Sequence, residues 1–158
     1  MSDAWLAPAN KLVRQFEGLA KLLPNNMVMA YPDPATGKEP WTIGYGSTGH
    51  DITKGTVWSK SQCEVRLLSD LTLRFGPAVD KMCEGVPTSD NQKAALVSFA
   101  YNLGEGALEE STLLRLHRDG NVHAAADQFL KWTHAAGKIL PGLVARRAAE
   151  AALYRSAT

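Results

Sequence analysis

A chain of 158 residues with 45% hydrophobic residues and a net charge of +1 has the size and composition of one ordered domain with its own core. Seventeen Lys and Arg against 16 Asp and Glu leave no basic excess, so the composition does not indicate a nucleic-acid partner. No long apolar segment and no Sec-type signal pattern is present. We therefore expect no membrane anchor and no signal peptide. We also expect the protein to be a monomer.

The two cysteines and the four histidines do not form a recognisable ligand pattern. Cys63 and Cys83 lie far apart without a CxxC spacing or a paired histidine, and the histidines are scattered along the chain. We expect both cysteines to be unpaired thiols in the core. The sequence thus implies no metal site and no cofactor.

The first predicted element is a helix over residues 11–20, capped by Asn10 and ended before Pro24. Its apolar positions recur at helical spacing: Leu12, Val13, Phe16 and Leu19. The composition changes from residue 28 to 57, where glycines, prolines and threonines are mixed with aromatic residues. This segment is the only part in which we expect β-structure.

Helical patterns fill the remainder of the chain. A capping box at Ser59–Gln62 or Ser61–Glu64 predicts a helix that runs toward Met82. A second box, Ser89 with Gln92, predicts another helix ending near Gly104. Three further helices are expected over residues 111–119, 122–132 and 143–154. The predicted fold class is α+β and mainly α, in which residues 1–158 form one domain with a small β lobe over about 28–57 and a helical lobe over 59–158.

Local patterns alone say little about chemistry. A cleft between a β lobe and a helical lobe could hold an extended polymer, and a glycosidase there would need a carboxylic acid and a second carboxylate. Glu17 lies at the end of an apolar helix, where partial burial of a carboxyl group favours its protonated form. Taken alone, Glu17 is better explained as a solvated helix-end charge, and Asp33 as an Asx-turn residue.

Three motifs in order change this interpretation. They are Phe16-Glu17-Gly18-Leu19, Ala30-Tyr31-Pro32-Asp33 and Trp41-Thr42-Ile43-Gly44-Tyr45-Gly46. Together they resemble the phage-type lysozymes, family 24 of the glycoside hydrolases. The resemblance implies a lysozyme-like fold, with Glu17 as general acid, Asp33 as the carboxylate that activates water, and Thr42 as the hydroxyl that helps to hold that water.

The resemblance extends through the helical lobe, roughly from residue 11 to 155. It implies that Asn102 contacts the saccharide, while Tyr101 and Trp132 could stack on sugar. For Trp132 a place in the core is the interpretation we prefer. Arg146 and Arg147 could support the acid electrostatically, or could lie on a solvated face of the last helix beside Glu150.

The chain departs from the family pattern at three places. The loop over residues 21–29 is longer than expected, and so is the connection between Asp33 and Thr42. Glu39 and Asp51 are therefore rival carboxylates. Ser47 stands where many relatives have a histidine, so no interaction of that histidine can be transferred to this chain.

The function expected from the resemblance is that of an endolysin. Such an N-acetylmuramidase hydrolyses the β-1,4 bond between N-acetylmuramic acid and N-acetylglucosamine in peptidoglycan and needs no cofactor. An inverting mechanism requires the Glu17 and Asp33 carboxyl groups to lie about 6.5–9.5 Å apart. We expect the protein to stay in the host cytoplasm until a holin opens the membrane. The alternatives are a wall-binding module without activity and a helical DNA-binding regulator.

Overall fold

The computed structural model describes residues 3–34 and 36–156. The helices are α1 (Leu6–Glu17), α2 (Lys60–Asp70), α3 (Gly76–Met82), α4 (Asp90–Leu103), α5 (Glu105–Glu109), α6 (Thr112–Arg118), α7 (Val122–Gln128) and α8 (Pro141–Arg155). The strands are β1 (Met27–Met29), β2 (Val57–Ser59), β3 (His134–Ala135) and β4 (Lys138–Ile139). A π-helical turn (Leu71–Phe75) precedes α3, and a 3₁₀ turn (Phe129–Lys131) follows α7.

The predicted fold class is confirmed, because the chain is mainly helical with small antiparallel sheets. The chain divides into two compact units. Residues 13–70 form the small unit, and the helical unit comprises residues 3–12 and 71–156 of the described chain. That the chain acts as one domain stays a prediction. No helix within residues 3–34 and 36–156 is long and apolar enough to cross a membrane.

The first helix differs from its prediction at both ends. It begins at Leu6, so Asn10 lies inside the helix and does not cap it. Pro8 is tolerated because the amide groups of the first turn have no partner within a helix. The helix ends at Glu17, because Gly18 adopts a left-handed conformation with φ of 65°.

The small unit is built around a two-stranded antiparallel sheet in which Val28 of β1 lies opposite Trp58 of β2. The predicted β segment over 28–57 thus has its strands at its two ends, with turns between them. Its core consists of buried side chains from the sheet, the turns and α2: Val28, Ile43, Tyr45, Ile52, Cys63 and Leu67.

The long loop over residues 21–29 is an ordered hairpin. Leu22 pairs with Val28, and the Leu23 amide donates to the Met27 carbonyl at 2.7 Å. Asn26 has φ of 62° and donates its amide to the Leu23 carbonyl, which tightens the turn. The additional residues therefore lead directly into β1.

The helix predicted from Ser59 toward Met82 consists of three segments. Of the two possible capping boxes, Ser59–Gln62 forms, with reciprocal hydrogen bonds of 2.7 and 3.1 Å. The α-helical pattern then gives way to the π-helical turn before Gly76. A side chain at Gly76 would lie 2.6 Å from Trp5, so the close approach of that indole requires glycine.

The helical unit is organised around α4, whose residues 94–100 are all buried. The capping box of Ser89 and Gln92 opens α4 as predicted, and Ser111 caps α6 by accepting from the Leu114 amide. The helix predicted over 122–132 becomes α7 followed by the 3₁₀ turn. Helix α8 begins at Pro141, slightly before the predicted start, and packs against α4.

One helix and one hairpin of the helical unit were not predicted. Helix α5 follows Gly104 directly, and strands β3 and β4 form a hairpin. The expectation of β-structure only in residues 28–57 is therefore wrong. Ala136 and Gly137 both have positive φ, as a two-residue type I′ turn requires, and Gly137 was the one local signal for it.

Candidate functional site

Glu17 is the last residue of α1, and its side chain is half-buried. The Gly18 amide donates to the Arg14 carbonyl at 3.1 Å, which closes the final helical turn. The left-handed conformation of Gly18 then redirects the chain. The backbone of Glu17 is thus fixed at the end of the helix.

Arg14 ties this helix end to the rest of the small unit. Its guanidinium donates to Glu64 Oε1 at 3.2 Å and to the Tyr45 hydroxyl at 3.4 Å. The same guanidinium lies over the Tyr45 ring, 5.2 Å from its centre. Because Tyr45 belongs to the segment that carries Thr42, Arg14 links the Glu17 end of α1 to that segment.

Tyr31 and Thr42 form an antiparallel pair through two backbone hydrogen bonds of 2.9 Å each. Residues directly opposite in such a pair carry their side chains on the same face. Burial raises the pKa of the Tyr31 phenol, and the nearby Glu17 carboxylate adds to that rise. Tyr31 is thus paired with Thr42 through its backbone, and its phenol is influenced by the charge of Glu17.

Asp33 begins a tight turn two residues after Tyr31. Its amide donates to the Lys38 carbonyl at 2.9 Å, and its carbonyl accepts from the Gly37 amide at 2.8 Å. The Asp33 side chain is half-buried, whereas Glu39, one of its rivals, is exposed. Asp33 itself therefore makes the hydrogen bonds that begin the longer connection to Thr42.

The turn after Thr42 packs closely on α2. Ile43 and Ser47 pair through two backbone hydrogen bonds, and Gly44 between them has φ of 65°. A Cβ atom at Gly44 would lie 2.7 Å from Cys63 Cβ. A glycine is therefore needed there both for backbone conformation and for space. Cys63 is a buried free thiol, as predicted, and Cys83 of the helical unit is another.

Asp51, the second rival carboxylate, is engaged by Arg66 at 2.7 Å. This hydrogen bond holds the pKa of the Asp51 carboxyl group below its usual range. Arg66 also pairs with Asp70 at 3.0 Å, and Asp70 accepts from the Ser47 hydroxyl at 3.0 Å. Ser47 therefore has its own partly buried interaction with Asp70. Asp51 belongs to this ion-pair network.

The predicted saccharide contacts Tyr101, Asn102 and Trp132 all lie in the helical unit, and each is half-buried. The Tyr101 ring packs on Phe75 with 5.1 Å between centres. Trp132 packs edge-on against Phe99 at 5.2 Å and is half-buried, so the choice between a core position and a saccharide contact stays a prediction.

Arg146 and Arg147 lie in a buried charge cluster with Glu150 and Ser98. The two guanidiniums are 3% and 0% exposed, and so the interpretation as a solvated helix face is wrong. Arg147 Nε lies 2.8 Å from Glu150 Oε1, and Arg146 Nε donates to Glu150 Oε2 at 3.3 Å. Ser98 Oγ donates to Glu150 Oε2 at 2.5 Å, and Arg147 Nη2 donates to Asn102 Oδ1 at 2.8 Å.

Sequence reasoning did not propose Glu150 and Ser98, the other members of this cluster, as candidate site residues. Burial raises the pKa of the Glu150 carboxyl group, while the charges of Arg147 and Arg146 and the Ser98 hydroxyl oppose the rise. The signal in the sequence was the spacing of Glu150, three and four positions after the two arginines, which permits ion pairs along one helix face. Nothing local indicated that this face is buried.

The predicted residues therefore fall into two groups. Glu17, Asp33 and Thr42 belong to the small unit, in which Thr42 pairs with Tyr31 and Asp33 follows Tyr31 by two residues. Asn102 belongs to the helical unit, where it is bound to Arg147.

The chain belongs to the phage lysozyme family, whose model matches residues 15–150. It is 43% identical over 143 residues to the endolysin of Bacillus phage B103, covering 90% of this chain and 51% of that protein. It is also 36% identical over 150 residues to the endolysin of Acyrthosiphon pisum secondary endosymbiont phage 1, covering 92% and 94%. The chain spans about half the length of the Bacillus phage relatives it matches.

Solved structures of similar proteins support the same fold. The muramidase domain of SpmX from Asticaccaulis excentricus matches with a TM-score of 0.79 and 31% identity, over 94% of this chain and 95% of that one. The endolysin from Escherichia coli O157:H7 phage FAHEc1 matches with a TM-score of 0.76 and 34% identity, over 94% and 90%. The lysozyme-like fold predicted from the motifs is thereby confirmed.

Proposed function

We propose that this chain is a peptidoglycan glycoside hydrolase, an N-acetylmuramidase that cuts the β-1,4 bond between N-acetylmuramic acid and N-acetylglucosamine. The observation that carries the proposal is the grouping in the small unit. The charge of a half-buried glutamate at a helix end helps to raise the pKa of a tyrosine that is paired with Thr42 and precedes Asp33 by two residues. Family membership over residues 15–150 supports it.

In this mechanism Glu17 is the general acid. It donates its proton to the glycosidic oxygen as the bond to the anomeric carbon breaks. Asp33 accepts a proton from a water molecule, whose oxygen attacks the anomeric carbon from the opposite face. Thr42 holds that water through its hydroxyl group. The products are a reducing N-acetylmuramic acid end and a free hydroxyl on the next sugar, with inverted configuration.

Asp33 is preferred over its rivals on charge and position. The Arg66 guanidinium already neutralises Asp51, and Glu39 lies on the exposed outer part of the turn. We propose a separation of about 6.5–9.5 Å between the Glu17 and Asp33 carboxyl groups, which leaves space for the attacking water. Asn102, Tyr101 and Trp132 are the proposed contacts to the saccharide.

The decisive test is mass spectrometry of fragments released from purified peptidoglycan by the wild type and by Glu17→Gln. We expect reducing N-acetylmuramic acid ends from the wild type and almost no release by the variant, because the amide cannot donate the proton. Reducing N-acetylglucosamine ends or anhydro ends would assign a different reaction. Binding to cell walls without any release would make the chain a wall-binding module.

The biological role proposed is host lysis, supported by the relatives named endolysins. The protein would wait in the host cytoplasm and reach the wall when a holin opens the membrane. Expression with and without a holin tests this: lysis should require both proteins. Rapid lysis without the holin would contradict the proposed release.

A further inference from the structure

We propose that Glu150 and Arg147 are positioning residues that orient the Asn102 side chain, so that its amide NH2 group donates to the glycan. The proposal rests on the function proposed above and adds two residues to its binding machinery. It is carried by the contacts of the buried charge cluster in the helical unit.

The first step is the orientation of the Asn102 amide. Arginine only donates hydrogen bonds, so the contact of 2.8 Å from Arg147 Nη2 requires the oxygen of Asn102 to face Arg147. The NH2 group then points away from the guanidinium. Within the described residues it has no protein partner, and the side chain is half-buried. A donor of fixed direction is thus available to a ligand, such as the carbonyl oxygen of an N-acetyl group.

The second step is the fixation of Arg147 itself. Glu150 Oε1 lies 2.8 Å from Arg147 Nε, and Glu150 Oε2 accepts from Arg147 Nη2 at 3.2 Å. The planar guanidinium also lies over the Phe99 ring at 5.2 Å. Both Arg147 and Glu150 are fully buried, so neither can change rotamer without disturbing the core.

The third step concerns what the buried Glu150 carboxylate does for Arg147. A guanidinium without a counter-charge would be costly to bury, and Glu150 offsets that charge from 2.8 Å beside Nε while it accepts from Nη2. Arg147 Nη2 donates to Asn102 Oδ1 as well. Phe99, which lies under the Arg147 guanidinium, also packs against Trp132. Trp132 is the second proposed saccharide contact that this packing supports.

The test is a double-mutant cycle in glycan affinity. Glycan strands freed of peptide by an amidase are titrated into Asn102→Ala, Arg147→Lys and the double variant, all with Glu17→Gln to prevent cleavage. We expect each single change to raise the Kd about fivefold, the effect of one hydrogen bond. The double variant should bind no more weakly than Asn102→Ala, because Arg147 acts through Asn102.

A purely structural role predicts a different pattern. It would lower the melting temperature of Arg147→Lys while leaving the Kd of the folded protein unchanged, or would give independent, multiplicative effects in the double variant. Either result overturns the proposal. Arg155→Lys is the matched control, since it lies on the same helix and pairs with the exposed Asp127. It should leave the Kd unchanged.

A second pair of variants keeps the test valid if Arg147→Lys does not fold. Glu150→Asp retains the charge balance but withdraws the carboxylate, and should raise the Kd only when Asn102 is present. Asn102→Asp keeps an acceptor for Arg147 but removes the donor, and should bind as weakly as Asn102→Ala. Wild-type affinity in Asn102→Asp would overturn the proposal. Fragment release by the proteins without Glu17→Gln separately reports whether the proposed hydrolysis itself fails.

Discussion

The two compact units differ in how deeply their most buried ion pairs lie. In the small unit the ion pairs Arg14–Glu64 and Arg66–Asp51 lie at the surface, and Asp51 is 59% exposed. In the helical unit Arg147 and Glu150 form an ion pair at 0% exposure. Exposed pairs contribute little to stability, whereas breaking a buried pair leaves an uncompensated charge in the core.

Their backbones differ as well. The small unit combines three-residue strands with isolated pairs such as Tyr31–Thr42 and with turns that depend on glycines. The helical unit is held by packed helices around the buried face of α4. We therefore expect substitutions at the proposed catalytic residues to act mainly on the reaction, whereas substitutions in the buried cluster should cost stability in addition to the proposed loss of glycan affinity.

The largest effect is expected for Asp33→Asn, which should lower kcat by about 100-fold or more with an unchanged melting temperature. The amide cannot accept the proton of the attacking water. Turbidity loss of peptidoglycan suspensions measures the rate. Glu39→Gln and Asp51→Asn are the controls, and both should stay near wild type. If Asp33→Asn stayed active and one of the two control variants were inactive, the residue changed in that control would be the one that activates water.

The next prediction compares how much stability is lost when an ion pair is broken in each unit. Glu150→Ala should lower the free energy of unfolding by about 3–5 kcal/mol, because two buried guanidiniums lose their counter-charge. Asp51→Ala in the small unit should cost less than about 1 kcal/mol, since its pair with Arg66 is screened by solvent. Urea denaturation measures both. Equal losses would remove the contrast between the units.

A smaller loss is expected for Gly44→Ala, which should destabilise the protein by about 2–3 kcal/mol. The new Cβ would meet Cys63 at 2.7 Å, and the left-handed backbone adds strain. Gly37→Ala is the matched control: its φ is 70°, but nothing lies within 4 Å of the added atom. It should cost about 1 kcal/mol. Thermal unfolding measures the stability of both variants. Similar losses in Gly44→Ala and Gly37→Ala would show that backbone strain alone, and not the contact with Cys63, causes the destabilisation.

The smallest effect concerns pH and the helical unit. His117 is buried, and its ring contacts the Thr88 hydroxyl at 2.8 Å and the Tyr154 hydroxyl at 2.6 Å. Burial lowers the pKa of His117, and the Arg118 charge lowers it further. The unfolded chain therefore binds a proton near pH 6.5 that the folded protein does not, so stability should fall as the pH decreases below 6.5.

This loss should amount to roughly 1 kcal/mol for each pH unit until the folded pKa is reached. It is measured as the free energy of unfolding between pH 7 and 5. In His117→Gln the slope over this range should be reduced, whereas replacing the exposed His123 by Gln should leave it unchanged. An identical slope in His117→Gln would exclude His117 as its source.

Much of the fold was predictable because its signals are local. The boxes at Ser59–Gln62 and Ser89–Gln92 are interactions between residues three positions apart, and both form as predicted. The end of α1 was misplaced, because the left-handed Gly18 stops the helix at Glu17. Its earlier start at Leu6 depends on burial of Trp5 and Ala9, which no local pattern reveals.

The sequence alone determined the family, the order of the three motifs and the residues proposed for the reaction, because these depend on residue type and spacing. Only the tertiary structure decided that Arg146 and Arg147 are buried against Glu150, that Arg66 engages Asp51, and that Ser47 binds Asp70. Most of these contacts join residues distant in the chain, and even the pairs within α8 depend on packing against α4. The physical reason is that burial, which sets the cost of a charge, is a property of the packed molecule.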